Sequence, residues 1–178
     1  VRLLAYSGIA QSGYILLTFA LVTDDAATNR TAFAAAVAYI LIYGIMNIGA
    51  FAATVAVSRR HPTLRIADFA GLRETAPVIA VGMAVFMISL AGVPPTGGFW
   101  GKLLIFQAAI ERGGTLGPAL AVVMLVNSVV SVFYYLAIPR EMFLRDAADR
   151  SRLRVPALVT AVVAVAMIAI VAIFVLPG

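Results

Sequence analysis

Long apolar stretches separated by tight clusters of charge constrain this chain more than any other feature. Charge gathers at Asp24, Asp25 and Arg30, across 59–74, at Glu111 and Arg112, and across 140–154. Between these clusters run stretches of about 20 apolar residues, the length that carries an α-helix through roughly 30 Å of hydrocarbon. With 63% hydrophobic and 12% charged residues, the chain has too little polar surface to clothe a water-soluble domain. A backbone in lipid must satisfy its own hydrogen bonds, so the fold class is an all-α polytopic membrane protein, with 1–178 as a single membrane domain.

The net charge of +5 does not point to nucleic acid. The arginines lie in short loops beside membrane spans, where positive excess marks the cytoplasmic side. Cysteine is absent and His61 is the one histidine, which argues against Cys-ligated zinc, iron–sulfur clusters and a metal site in this chain. The chain opens on Val1 and Arg2, directly before a span, with neither an initiator Met nor a signal peptide. It is therefore expected to be a piece of something longer.

Four spans are placed at 3–22, 32–57, 116–138 and 155–176. The segment 77–112 is harder, because Gly92, Pro94, Pro95, Gly97 and Gly98 interrupt its apolar run. Loop charge decides its path. If 77–112 crosses once, the arginine-rich loops 58–76 and 139–154 share one side, and the other side receives mainly Asp24, Asp25, Arg30, Glu111 and Arg112. That is a positive-inside pattern, and two crossings would destroy it. The expectation is five crossings, the third a helix broken at 92–98, with both arginine loops cytoplasmic and the C-terminus at Gly178 external. Proline lacks the amide donor and glycine holds helix poorly. Such a break is tolerated where it is buried in protein or lines a hydrated cavity, as at transporter ion sites. The alternative is a kink that serves packing alone.

Lys102, the only lysine, follows the break by about one helical turn. A lysine near the bilayer centre is costly, and such residues usually face the bundle interior and mark ion paths; a lysine snorkelling to the headgroups is the competing reading. Uncharged polar residues recur at helical spacing: Ser7, Gln11 and Tyr14; Tyr39, Tyr43, Asn47 and Thr54; Asn127, Ser131 and Tyr134. Of these, Ser7, Gln11, Tyr43, Asn47, Asn127 and Ser131 are candidates for a hydrated path, with interhelical hydrogen bonding as the alternative. The last span carries only Thr160 as a polar group, so it faces lipid or a partner. The string GGFWGK resembles a phosphate loop but lacks the Walker spacing.

The motifs RLLAYSGIAQSGYILL, YILIYGIMNIGAF and DFAGLRETAPVIAVGMAVFMISLAGVPPTGGFWGKLLIF together resemble the antiporter-like subunits of proton-pumping NADH:quinone oxidoreductase, respiratory complex I. Within that family LIYGIMNIGAF followed by SLAGVPPTGGFWGK is similar to the subunit N branch. The sister subunits usually carry a glutamate at the position of Lys102, or an acidic residue directly after the lysine, where this chain has Leu103. The resemblance implies the C-terminal part of a fourteen-helix subunit built from two inverted repeats, each with a broken helix. It implies that Lys102 is the proton-relaying lysine of the second broken helix, coupled electrostatically to quinone reduction elsewhere. No cofactor is implied in this chain; NADH, FMN, iron–sulfur clusters and quinone would belong to other subunits. The implied partners are other membrane subunits, neighbouring antiporter-like ones included, together with the lipid bilayer and protons. The implied location is the bacterial inner (plasma) membrane. Gly8 and Gln11 depart from the pattern, standing where Ser and His are common. A multisubunit Na+/H+ antiporter or membrane-bound hydrogenase subunit of the same fold is the nearest alternative, and a non-pumping structural subunit is the next.

Overall fold

A computed structural model describes residues 1–176 of the chain; Pro177 and Gly178, and with them the expected external C-terminus, lie outside the described residues. The described residues form seven α-helices and one 3-10 turn, with no strand among them. The helices are α1 (Arg2–Ala20), α2 (Ala26–Ser58), α3 (Leu72–Thr75), α4 (Pro77–Ala91), α5 (Gly97–Arg112), α6 (Leu116–Leu144) and α7 (Ala157–Val175), and the 3-10 turn is Ile66–Phe69. Helices α1, α2, α6 and α7 are each long and apolar enough to cross a membrane. At 15 and 16 residues, α4 and α5 reach about 22–24 Å each, too short for roughly 30 Å of hydrocarbon.

Helix α2 is the axis against which α1, α4, α5 and α7 pack. It also acts as a ruler for the interrupted segment. Phe86 of α4 lies on Gly49, where an added Cβ would come within 2.2 Å of its ring. One turn on, the Ser89 hydroxyl donates to Met46 Sδ at 2.9 Å. Past the break, Gly101 lies against Tyr39 and Ile42, and Ile105, Ala108 and Ala109 share a core with Ala32 and Ala35. Numbers fall along α2 as they rise along α4 and α5, so the two short helices traverse the length of α2 once, antiparallel to it. α7 runs the same way as the pair, with Val163 over Gly82, Ile170 and Ile173 over Gly97, and the Trp100 indole donating to the Phe174 carbonyl at 3.2 Å.

The two arginine-rich loops meet at one end of the bundle. The Arg60 guanidinium donates to the Ser151 carbonyl and hydroxyl, both at 2.8 Å. The Leu153 amide donates to the Thr75 carbonyl at 3.0 Å, and the Gly71 amide to the Glu141 carbonyl at 3.3 Å. Ion pairs join Arg150 to Glu74 and Arg73 to Asp146, each at 3.3 Å. Exposed pairs of this kind contribute little individually; the backbone bonds fix the register of the two loops.

Several boundaries differ from the sequence expectation. α2 begins at Ala26 rather than 32, because Asp25 caps it, its carboxylate accepting from the Thr28 amide at 2.8 Å and hydroxyl at 2.7 Å. Those bonds hold the Asp25 carboxyl below the ordinary carboxylate range; the cap is fully formed above that range and is lost as pH falls through the lowered value. The span placed at 116–138 continues helically to Leu144 through Pro139, which leaves the Tyr135 carbonyl without its usual i+4 amide. Met142, on the added turn, is fully buried. Finally, the break is shorter than 92–98: Gly97 and Gly98 form the first turn of α5. Their smallness serves contact, since a Cβ on Gly98 would lie 1.9 Å from the Ser89 carbonyl oxygen.

The same property gives a test. Gly98→Ala forces α5 off α4 and is expected to cost about 1–3 kcal/mol or more. It should lower the protein's thermal unfolding midpoint. Gly44→Ala, where an added Cβ meets nothing within 4 Å, should leave that midpoint unchanged or raise it by the helix propensity of about 0.8–1 kcal/mol.

Candidate functional site

The site arises from the way α4 ends. Gly92 takes a left-handed φ of 83°, its amide donates to the Ser89 carbonyl at 2.9 Å, and the Val93 amide donates to the Ile88 carbonyl at 3.2 Å. This is a Schellman closure, which satisfies the fourth- and third-last carbonyls of α4 and leaves the last two over. Lys102 takes those. Its ammonium donates to the Leu90 and Ala91 carbonyls, each at 3.0 Å. A cation at the negative end of a helix dipole is the favoured pairing. Lys102 is 6% exposed, so the charge is desolvated and points inward rather than snorkelling.

Around this pair lies a polar layer between two apolar cores. One core, toward the arginine loops, contains Met83, Phe86 and Leu90 of α4; the other contains Ile105, Ala108 and Ala109 of α5. In the layer, Gln11 Nε2 donates to the Leu90 carbonyl at 3.1 Å and to the Tyr135 hydroxyl at 2.9 Å. The Tyr39 hydroxyl donates to Gln11 Oε1. Ser7 Oγ and the Tyr135 hydroxyl are hydrogen-bonded at 2.5 Å. Both N–H donors of the Gln11 amide are thus engaged and its oxygen accepts once, while Leu90 O uses both lone pairs. The other contact of Lys102 is aromatic: its Nζ lies 4.9 Å from the centroid of the Tyr14 ring. All five ion pairs among the described residues lie within the two arginine-rich segments, none at Lys102.

Cavities approach the layer from both ends. One of about 640 Å³ at the arginine-loop end is lined by Leu4, Thr54, Met83 and Ile138, one turn short of Ser7. On the other side Lys102 and Ser128 line a cavity of about 230 Å³. Tyr14 and Asn127 line a neighbouring one of about 550 Å³, and Met124 borders both. An ammonium has three N–H donors and a neutral amine two plus a lone pair. Lys102 can therefore keep both carbonyl bonds in either protonation state and exchange its proton in the third direction.

The predicted residues divide accordingly. Lys102, Gly92, Gln11 and Ser7 converge on the layer. Pro94 and Pro95 occupy the connection between the half-helices. Tyr43 is partly buried, its hydroxyl close to Gly8. Ser131 is buried but turned onto its own helix, donating to the Ser128 carbonyl at 2.7 Å. Asn127 is exposed and donates to Val123 O, and Asn47 is partly buried away from the layer's hydrogen bonds. Tyr135 and the ring of Tyr14 as a partner of Lys102 were not anticipated. The buried series Met124, Ser131, Tyr135, Ile138 and Met142 places Tyr135 rather than Tyr134 on the inner face, and its helical spacing was the available signal.

Residues 1–131 match the family model described as NADH:quinone oxidoreductase/Mrp antiporter, transmembrane. The chain belongs to this family. A relative named NADH-quinone oxidoreductase subunit N 2, from Chloroherpeton thalassium, is 43% identical over 150 residues, 84% of this chain. The chain spans 28% of that relative's length. Among solved structures, respiratory complex I from Thermus thermophilus with bound aureothin aligns at a TM-score of 0.65 and 26% identity, over 99% of this chain and 44% of the other. The Mrp complex from a Dietzia species aligns at 0.80 and 24% identity, over 97% and 39%, a likeness of fold. A family multi-pass in the membrane accords with the apolar helices described above.

Gln11 tests the layer directly. Gln11→Leu strands the Tyr39 hydroxyl and one bond each of Leu90 and Tyr135, at about 1–3 kcal/mol for each group left unsatisfied. Gln11→His restores one donor and one acceptor. The thermal unfolding midpoint should fall in the order wild type, Gln11→His, Gln11→Leu.

Proposed function

We propose that this chain is the C-terminal part of a proton-translocating membrane subunit of an NADH:quinone oxidoreductase, in which Lys102 takes up and releases the transported proton. The observation that carries the reading is a buried lysine on the free carbonyls of a broken helix, in a chain 43% identical to a subunit N. Redox chemistry and its cofactors belong, on this reading, to other subunits, and a charge change there shifts the protonation of Lys102. The family model covers both this reading and an Mrp-type antiporter; the relative named subunit N at 43% identity favours the former.

The reading carries a topology: five crossings, with α4 and α5 together as the third. Both arginine-rich loops then face the cytoplasm across a bacterial plasma membrane. The single antiparallel traverse along α2 and the contacts between the two loops support it. Cysteines introduced at Arg65 and Thr28 should label from opposite faces of the membrane; labelling from one face overturns the topology.

Lys102→Met removes the exchangeable proton and both carbonyl bonds, whereas Lys102→Arg keeps a cation that does not readily deprotonate. In membranes with verified assembly, NADH-driven quinone reduction and vesicle acidification should both fall at least about tenfold in each variant. Wild-type pumping in both would make Lys102 a structural cap and remove the proposal.

A further inference from the structure

Lys102 is a buried cation with no carboxylate partner among the described residues. Its two hydrogen bonds go to neutral carbonyls. Neither half-helix supplies an anion nearby: α4 has no ionisable residue, and Glu111 of α5 stands more than two turns from Lys102. α7 likewise carries none. The ionisable groups packed around this layer are tyrosines: Tyr14 from α1, Tyr39 and Tyr43 from α2, and Tyr134 and Tyr135 from α6. Of these, Tyr14 alone places its ring face toward the ammonium, at 4.9 Å from Nζ to the centroid.

The ring is held in that pose. Tyr14 is 6% exposed and packs edge-on against Tyr39, with centroids 6.2 Å apart and planes at 78°. Tyr39 is fixed by Gln11, which is fixed in turn by Leu90 O and Tyr135. The Tyr14 hydroxyl points away, to Ser128 Oγ at 3.3 Å. A π face attracts a cation, most strongly where water is excluded, and does not attract a neutral amine comparably.

We propose that the ring face of Tyr14 stabilises the protonated form of Lys102, which makes Tyr14 a positioning residue for the lysine. This rests on the reading of Lys102 as the proton carrier. Ring electrostatics, rather than ring size or the hydroxyl, then set how well the lysine loads its proton.

The test replaces Tyr14 in the full-length subunit of the assembled complex by phenylalanine and by mono-, di- and trifluorinated phenylalanines. Successive fluorines drain the π face while leaving shape nearly constant. Tyr14→Phe should retain pumping within about twofold, since it keeps the ring face. Acidification rates should then fall with each added fluorine, reaching roughly tenfold below Tyr14→Phe for the trifluoro side chain. Equal rates across the series overturn the proposal, as does loss of pumping in Tyr14→Phe alone, which would assign the role to the hydroxyl. Lys102→Met separates the two failures. If it pumps at the wild-type rate, the proton-carrier reading goes; if it is silent while the series is level, only the role of Tyr14 goes.

Discussion

The contact between the Lys102 ammonium and the Leu90 and Ala91 carbonyls is the constraint on which the rest of the arrangement depends. A helix that stops inside an apolar environment leaves carbonyls with no water to receive them, and each unmet bond costs several kcal/mol. A lysine in the same environment has the complementary deficit. Bringing the two together offsets part of both penalties, and it ties the end of α4 to the first turns of α5 across five residues of irregular chain. Replacing either the break or the lysine alone would leave the other unsatisfied.

The close approach needed for that contact is prepared by small residues. Gly98 admits the Ser89 carbonyl and donates its amide to Ser89 Oγ at 3.0 Å. Gly101 admits the Tyr39 ring, and Gly49 the Phe86 ring. With little hydrophobic drive between helices in lipid, such close packing and the few interhelical hydrogen bonds carry association. The apolar residues turn outward instead: Tyr6, Ile9 and Phe19 on α1, Phe133 on α6, and Leu158 and Val165 on α7 are all exposed.

The class of the fold was legible from the spacing of charge, because hydrocarbon thickness and positive-inside bias act on composition directly. The interruption was legible too, since Pro94, Pro95 and Gly92 each have a local conformational consequence. Its end at Thr96 was not, because Gly97 and Gly98 read as helix breakers until their neighbours across the gap are known. Lys102 stood out by being alone. Its partners could not be read: carbonyls carry no sequence signal, and the choice of Tyr135 over adjacent Tyr134 depends on the rotation of α6. Asp25 as a helix cap was a recoverable miss, with Thr28 three residues on.

The bond between Ser7 and Tyr135 has one further consequence. Its two oxygens stand 2.5 Å apart, and either can be the donor. The hydrogen can sit on either side with the heavy atoms in one place. Gln11 fixes the direction of the bonds on its side of Tyr135, so the freedom of the layer is confined to this one hydrogen, at its Ser7 end.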